Sequence, residues 1–484
     1  MNYKAILRML SSIMMLEALF FLPSMGLALY DRDYHVLRGF IFTITLLVIL
    51  ALLFRLVSRN DRSSFFVREG FMLVGLTWIV MSLFGALPFF ISGEIPSYFD
   101  AFFETVSGFT TTGASILRDV EIMSRSLLLW RSFTHWLGGM GILVFMLALI
   151  PAAKGRGESL HVLRAESPGP TLEKIVPKTR EHAMILYGLY TGLSVICFLF
   201  LYLGGMPLFD SVCTTFGTAG TGGFGIKADS MGSYSPYCQM VVTIFMAFFG
   251  VNFNIYFLIV LRRFRAAFKD EEMRVYFGIL LSSIILVGIN VAGMFDSVEE
   301  AFRHAAFSVS SVMTTTGYAT VDFNRWPQFA RGILLLLMVT GASAGSTAGG
   351  VKISRVILML KSCYREIRKL LHPRSVMPVR MNGHAVSEET IRGVNIYAVV
   401  YICIYIASFL LVSIDDFSFE TNATAVLTCL GNVGPGFGMV GPAGNFADYS
   451  ALSKLVLSLD MLLGRLEIFP LLLLFHYRTW SRSS

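Results

Sequence analysis

Residues 105–115 read TVSGFTTTGAS, a stretch rich in threonine and glycine that carries no charge within a strongly apolar chain. Related stretches recur as FGTAGTGGFG at 216–225, SVMTTTGYAT at 311–320 and CLGNVGPGFG at 429–438. Aligned on one shared glycine, all four read Thr or Asn, any residue, Gly, any residue, then a small residue. An internal repeat of this kind constrains the fold before any single element is assigned.

The composition indicates a membrane protein. Of the 484 residues 55% are apolar and 15% are charged, whereas a typical soluble domain has about 25% charged residues. The six cysteines are scattered and no CxxC or HExxH motif occurs, so we expect neither disulfides nor a resident metal site. Apolar stretches long enough to cross a bilayer predict ten transmembrane helices, at 9–30, 38–56, 70–92, 131–152, 183–204, 237–261, 275–295, 329–360, 393–414 and 450–477.

The net charge of +7 is explained by topology in a lipid bilayer, and no nucleic-acid partner is expected. Lys and Arg cluster in alternate gaps between the predicted spans, at 55–68, 154–180, 262–274 and 361–392. Because basic loops stay on the cytoplasmic side, we expect both termini to be cytoplasmic. The intervening gaps carry acids that either raise the cation concentration at a pore mouth or lie in solvated loops, among them Glu94, Asp100 and Asp210.

Each of the four related stretches follows a short apolar piece, such as 98–109 or 208–218, that is too short to span a membrane. The repeated unit is therefore a span, a short re-entrant helix, a Thr/Gly-rich stretch and a second span. We predict an all-α membrane protein in which four such membrane–pore–membrane repeats form a pseudo-fourfold, potassium-channel-like pore. The predicted divisions are an N-terminal helix pair at 1–60 and repeats at 69–153, 182–262, 274–361 and 392–479.

The shared pattern is a degenerate form of TVGYG, the sequence of potassium-channel filters. Extended backbone at membrane depth is tolerated where it is buried in protein or lines water, and carbonyl oxygens aimed at an axis replace the hydration shell of a cation. We therefore predict that potassium is the transported ion. The predicted filter residues are Thr111, Thr112, Gly113, Gly220, Thr221, Gly222, Gly223, Thr315, Thr316, Gly317, Asn432, Val433 and Gly434.

With four such stretches in register, the chain resembles the Trk/Ktr/HKT superfamily of potassium transporters over nearly its whole length. Within it, the extra helix pair before four repeats is similar to bacterial TrkH-type pore-forming subunits. The resemblance implies uptake of potassium across the bacterial inner membrane, a homodimer, and a cytosolic nucleotide-binding regulatory subunit of the TrkA type. Only one glycine position is common to all four stretches, which predicts weaker cation discrimination than in a potassium channel.

Residues 341–352, GASAGSTAGGVK, interrupt an otherwise apolar helix with ten consecutive small residues. Three interpretations are open. Gly341, Gly345 and Gly349 satisfy GxxxG twice, which is typical of close helix packing. Ser343 lies in a GxSxG motif, which would make the chain an intramembrane serine hydrolase.

The third interpretation is an unwound, movable segment below the filter, since ten small residues exceed one packing face of a helix. The resemblance implies an intramembrane loop here that blocks the pore. We favour this gate, and with it a transporter rather than an enzyme. The predicted gate glycines are Gly341, Gly345, Gly349 and Gly350.

The last predicted span carries an arginine, Arg465, near its middle. An intramembrane charge implies a partner or a water-lined path. Arg465 either pairs with Asp460 or Glu467, or faces the pore and opposes resident cations, as the resemblance implies. The residues leave open whether transport is driven by the membrane potential alone or coupled to protons or sodium. A secondary transporter with inverted repeats is a further alternative, but these stretches all lie on the same side.

Overall fold

A computed structural model describes residues 3–59, 67–141, 179–375 and 377–476. Within these ranges the chain is mostly helical, with one short antiparallel hairpin formed by β1 (Arg380–Met381) and β2 (His384–Ala385). The helices are α1 (Tyr3–Phe20), α2 (Leu22–Tyr30), α3 (Tyr34–Val57), α4 (Val67–Gly85), α5 (Leu87–Ile91), α6 (Tyr98–Phe109), α7 (Arg125–Gly139), α8 (Thr179–Leu203), α9 (Leu208–Gly220), α10 (Pro236–Phe249), α11 (Phe253–Val260), α12 (Phe264–Lys269), α13 (Glu271–Val291), α14 (Val298–Met313), α15 (Gln328–Thr340), α16 (Ile353–Leu371), α17 (Glu388–Val412), α18 (Phe419–Gly431), α19 (Ala451–Arg465) and α20 (Phe469–Phe475).

Six helical stretches of the described ranges are long and apolar enough to cross a membrane, and a seventh follows if the bent pair α10–α11 is one span. In the stretch that contains α17, only 22% of the most apolar window is buried. Large apolar side chains such as Ile402, Ile406 and Leu410 are therefore exposed along α17, as expected of a surface that contacts lipid. The chain is thus a multi-pass membrane protein, while the count of ten spans stays a prediction.

Four short helices, α6, α9, α14 and α18, are only 12 to 16 residues long and are extensively buried. Three of them begin at a serine, Ser97, Ser297 or Ser418, whose hydroxyl accepts a hydrogen bond from a first-turn amide. Acids occupy the first turn of all four, where they favour the positive end of the helix dipole. These acids are Asp100, Asp210, Glu299, Glu300 and Glu420.

The helix that follows each short helix is interrupted or ends early. Three predicted spans are broken: 237–261 bends by 90° at residues 250–252, 329–360 is non-helical over 341–352, and 450–477 breaks at 466–468. The second break agrees with the unwound segment predicted from the run of small residues. For 237–261 and 450–477 the expectation of a continuous helix was wrong, because an apolar pattern does not report where a helix breaks. The fourth, predicted at 131–152, is helical to Gly139, and its second half lies outside the described residues.

The packing of α13 against the short helix α14 gives a test of this fold. A Cβ at Gly288 would lie 2.8 Å from the ring of Phe302, whereas one at Gly278 on the same helix meets no atom within 4 Å. Gly288→Leu should lower the free energy of unfolding by about 1–3 kcal/mol through overpacking. Gly278→Leu makes the same change in helix propensity and is the matched control. Thermal unfolding of both variants in detergent checks this, and equal midpoints would contradict the packing.

Candidate ion-conduction site

The four short helices all end in the same way. Their last turns close with a residue in the left-handed conformation, at φ of 53° to 55°: Thr111, Thr221, Thr315 and Asn432. The amide of that residue donates to the carbonyl three residues earlier at 3.1–3.2 Å, and the next amide donates to the carbonyl five residues earlier at 2.8–2.9 Å. This pair of bonds is a Schellman cap, which usually has glycine at the left-handed position. A β-branched threonine there is strained, and such strain is concentrated at functional sites.

After each cap the chain runs as a non-helical segment. We call these segment 1 (111–115), segment 2 (221–225), segment 3 (315–319) and segment 4 (432–436). The third residue of every segment is a glycine at positive φ, between 74° and 96°. These glycines are Gly113, Gly223, Gly317 and Gly434. In every segment the first and third residues have positive φ, so the four segments follow the same backbone course.

The four glycines also show how the segments are arranged. A Cβ built on Gly113, Gly223, Gly317 or Gly434 would lie 2.6 Å or less from a carbonyl oxygen of another segment. The oxygens belong to the second residue of the next segment in each case: Gly222, Thr316, Val433 and, closing the cycle, Thr112. The order 1–2–3–4–1 means that the four segments surround a common axis, with backbone against backbone.

Each segment begins with its left-handed residue, and we call this the inner end of the segment. Two of these four residues have a buried side-chain oxygen without a hydrogen-bond partner among the described residues: Thr111 Oγ1 and Asn432 Oδ1. Thr221 Oγ1 instead donates to the carbonyl of Gly220 at 2.7 Å. Unpaired buried oxygens are costly unless a cation or water completes them, so their chemistry suits a cation passing the axis.

Toward the other end, all four segments border one cavity of about 140 Å³. The cationic side chains along it are Arg118, Arg131 and Lys227. The outer acids singled out in the sequence have other contacts: Glu94 accepts from the Ser124 amide at 3.0 Å, and Asp100 accepts from Lys454 Nζ at 2.6 Å.

Asp210, the third of these acids, accepts a hydrogen bond from the Tyr234 hydroxyl at 2.8 Å. Burial, together with this bond to Asp210, raises the pKa of Tyr234 above its ordinary value of 10.0, so the phenol stays a donor. The outer acids therefore stabilise the loops and short helices around the cavity, and the structure assigns them to packing rather than to its wall.

Gly220, predicted as a filter residue, lies in the last turn of α9 instead of in segment 2. A Cβ on it would collide with the backbone carbonyl of His135. Gly220 is therefore a helix-packing glycine.

Residues 341–352 form a compact loop directly against the inner ends of segments 3 and 4. The amide of Gly349 donates to Thr315 Oγ1 at 2.7 Å, and a Cβ on Gly349 would collide with the Gly431 carbonyl and Asn432. Three glycines of the loop, Gly341, Gly345 and Gly350, have positive φ. The GxxxG helix-packing interpretation is therefore wrong, because this stretch is not a helix.

The loop takes its hydrogen bonds from the break in the neighbouring helix. The amide of Ser343 donates to Gly250 O at 3.2 Å, and the amide of Phe253 donates to Gly345 O at 3.0 Å. Thr347 Oγ1 donates to Phe249 O at 3.2 Å. Backbone groups that the bend between α10 and α11 leaves free are thus satisfied by the loop.

Arg465 joins the loop to the end of α7. Its guanidinium donates to Thr347 O at 2.7 Å and to Gly139 O at 2.6 Å, and it also contacts Gly138 O. The two acids considered as ion-pair partners of Arg465 have other contacts: Glu467 pairs with Arg355, and Asp460 accepts a hydrogen bond from the Ser408 hydroxyl. Arg465 therefore holds the loop in place through backbone carbonyls.

Glu272, which the sequence analysis did not single out, holds the loop from its other side. One carboxylate oxygen accepts from the amides of Ala344, at 2.7 Å, and Ser354, at 3.1 Å. Glu272 is buried, although it belongs to the acidic run Asp270–Glu271–Glu272. Such a run is typical of the exposed first turn of a helix. Only the tertiary contacts distinguish it from its neighbours.

The GxSxG serine is enclosed by this loop. The Ser343 side chain is 1% exposed, and its hydroxyl has no hydrogen-bond partner among the described residues. The ring of His135 is engaged elsewhere, with Gly108 O and the Phe224 amide. The motif therefore lacks the strand–turn–helix setting and the hydrogen-bonded base that a nucleophile elbow requires.

Comparison with known proteins agrees with a transport protein. The TrkH family, described as cation transport protein, matches residues 35–482. The Trk system potassium uptake protein TrkH of Salmonella typhimurium is 35% identical, and the alignment covers 99% of this chain and 100% of that protein. The protein of the same name from Halomonas elongata is 32% identical with 100% of both chains covered.

The fold is also found in a solved structure. The crystal structure of the potassium transporter TrkH from Vibrio parahaemolyticus matches with a TM-score of 0.87 at 29% identity, covering 99% of this chain and 100% of that one. On sequence and structure together, the chain belongs to the TrkH family of cation transport proteins.

Proposed function

We propose that this chain is the pore-forming subunit of a potassium uptake system in a bacterial inner membrane, and that K⁺ passes between segments 1–4. The observation that carries the proposal is the closed cycle in which each segment's glycine abuts the next segment's carbonyl. The names of the relatives, which are potassium uptake proteins, support the choice of ion.

The chemistry of the cycle suits a dehydrated monovalent cation. Backbone carbonyls from four directions replace water oxygens, and Thr111 Oγ1 and Asn432 Oδ1 add unpaired oxygens at the inner end. The carboxyl ends of α6, α9, α14 and α18 lead directly into the segments. Their dipoles therefore place partial negative charge beside the ion.

Uptake needs no further energy source than the membrane potential. A monovalent cation gains about 2.3 kcal/mol per 100 mV on entering a negative interior. This corresponds to roughly fiftyfold accumulation, at about 1.4 kcal/mol per factor of ten. We propose potential-driven conduction, and coupling to protons or sodium is the alternative that flux measurements at fixed potential distinguish.

The 341–352 loop is proposed as the gate. It lies against the inner ends of segments 3 and 4 and is held by Thr315, Arg465 and Glu272. Its hydrogen bonds involve backbone groups throughout, and the side chains of 341–350 are small, so this part can be displaced without extracting a large apolar surface. Arg465 also places a positive charge at this level, which opposes a cation that rests below the filter.

Regulation is proposed to come from a cytosolic nucleotide-binding subunit of the TrkA type acting on a homodimer. Two of the basic regions form one surface, because Glu271 contacts Lys361 and the Asn382 amide, and Asp270 accepts from Asn382 Nδ2. Glu272, the next residue, bonds to the gate loop. Movement of the β1–β2 hairpin would thus be transmitted to the gate loop through the first residues of α13. The basic region at 154–180 lies outside the described residues except for its last two positions.

Rubidium flux into proteoliposomes tests the filter. Gly317→Ala should lower uptake at least about tenfold, because alanine at this φ of 84° is strained by roughly 1–3 kcal/mol and its Cβ overlaps the Val433 carbonyl. Gly332→Ala, on α15, is the matched control, since a Cβ there meets nothing within 4 Å.

Uptake by the unaltered chain that does not depend on Gly317 would refute the filter. The same assay tests the hydrolase alternative. Ser343→Ala removes the hydroxyl that would be the nucleophile of a hydrolase, and it should leave rubidium uptake in place. Loss of all flux in that variant, with the protein folded, would count against the transporter interpretation of the loop.

Removing the Arg465 guanidinium tests the gate. Arg465→Met should raise the hydrogen–deuterium exchange of the amides in 341–352 by about tenfold or more, since a hydrogen bond to a charged group contributes about 1.5–3 kcal/mol. Rubidium uptake should rise with it. Lys454→Met on the same helix is the control, because Lys454 contacts Asp100 and Ala447 instead of the loop. Unchanged exchange in Arg465→Met would show that the arginine does not hold the loop.

A further inference from the structure

A buried ion pair lies behind segments 1 and 2. Arg131 on α7 donates from Nε to Glu104 Oε1 on α6 at 2.6 Å, and the two side chains are 4% and 0% exposed. Two charges removed from water in this way gain little stability over apolar side chains of similar size. A role in specifying geometry is therefore the better explanation of the pair.

Both charges are bonded to the segments themselves. Glu104 accepts hydrogen bonds from the Ser115 hydroxyl and the Ile116 amide, each at 2.9 Å, at the outer end of segment 1. Arg131 donates to the Gly225 carbonyl at 2.9 Å, at the outer end of segment 2. Its guanidinium also lies over the Phe224 ring, 3.4 Å from the centroid. The pair thus fixes the distance between two neighbouring walls of the proposed filter.

His135, one turn after Arg131, supports segment 2 at the same place. Its Nδ1 lies 2.8 Å from the Gly108 carbonyl, and its Nε2 lies 3.2 Å from the Phe224 amide. Because a carbonyl only accepts and an amide only donates, the ring is the neutral Nδ1–H tautomer. It fills the space next to Gly222, where a Cβ would collide with the imidazole.

The supports of segments 3 and 4 are different: hydroxyls bond to their backbone, and the ion pair of Arg331 with the half-exposed Glu420 lies beside the Phe437 ring, after segment 4. Glu104 stands seven residues before the left-handed residue of its repeat, and the corresponding positions are Thr214, Ser308 and Ala425. In segment 3 the Ser311 hydroxyl donates to Tyr318 O at 2.6 Å. Beside segment 4 the Phe437 amide donates to Thr424 Oγ1 at 2.9 Å. The four segments therefore share one backbone course, but segments 1 and 2 are supported differently from segments 3 and 4.

We propose that Glu104, Arg131 and His135 are positioning residues that fix segments 1 and 2 at their outer ends, and that this brace sets how strongly the pore discriminates potassium from sodium. The inference rests on the proposed function. Pairing with Glu104 also compensates the charge that Arg131 brings to the outer cavity. Loss of the brace lets the two walls separate, and a wider, softer site favours the less selective binding of smaller ions.

The test is the ratio of sodium to rubidium uptake in proteoliposomes, with half-saturation and maximal rate measured separately. Arg131→Lys keeps the charge but removes the planar guanidinium that donates to both Glu104 and the Gly225 carbonyl. The ratio of sodium to rubidium uptake should therefore rise about threefold or more, with little change in the maximal rate of rubidium uptake. Glu104→Gln should raise the ratio similarly and also raise the half-saturation concentration, because Arg131 is left uncompensated. Arg125→Lys, at the start of α7 and beside Asp31, is the matched control and should change neither quantity.

The outcomes separate the brace from the proposed function. No rubidium uptake by the unaltered chain defeats the proposed function, whereas uptake with an unchanged ratio in Arg131→Lys and Glu104→Gln overturns the brace alone. If single variants fail to fold, the double variant Glu104→Gln, Arg131→Gln removes both charges without leaving one unpaired. A raised ratio in that variant supports the brace, and an unaltered ratio refutes it.

Discussion

The structure depends on four places where a backbone carbonyl occupies the space that a Cβ would fill on a neighbouring segment. At Gly113, Gly223, Gly317 and Gly434 the chain has no side chain, and the next segment's backbone lies there instead. Backbone atoms therefore set the size of the ring. This is why the residues around the glycines can differ widely, with Ala114, Phe224, Tyr318 and Pro435 at one position, while the four walls keep one course.

A second constraint is the strained residue that begins each segment. Glycine would satisfy the left-handed cap without cost, yet Thr111, Thr221, Thr315 and Asn432 stand there. Each brings an oxygen that glycine lacks. Thr315 Oγ1 accepts from the Gly349 amide, while Thr111 Oγ1 and Asn432 Oδ1 have no hydrogen-bond partner among the described residues. The strain is explained if those oxygens serve the ion and the loop.

Much of this architecture could be predicted from the sequence, because its signals are local. A short apolar piece followed by a Thr/Gly-rich stretch predicts an inserted helix and its cap, and the four repeats predict their equivalence. The helix break at 250–252 could not be predicted, since its backbone groups are satisfied by residues far away in sequence, such as Ser343. The break at 466–468 closes on nearby carbonyls instead, and an unbroken apolar pattern does not mark it. Glu272 was missed for the same reason as the break at 250–252: its burial is decided by the loop that folds over it.

The fourfold backbone and its unequal supports follow from carrying all four walls on one chain. In a ring of identical subunits, any device behind one wall is repeated behind every wall. Here an ion pair stands behind segments 1 and 2, hydroxyls bond to segments 3 and 4, and one loop in the third repeat lies against the first residues of segments 3 and 4. A single copy of this twelve-residue loop, held by Arg465 from the fourth repeat and Glu272 from its own, is enough for the proposed gate. A single chain thus allows support, selectivity and closure to be assigned to different walls of the proposed pore.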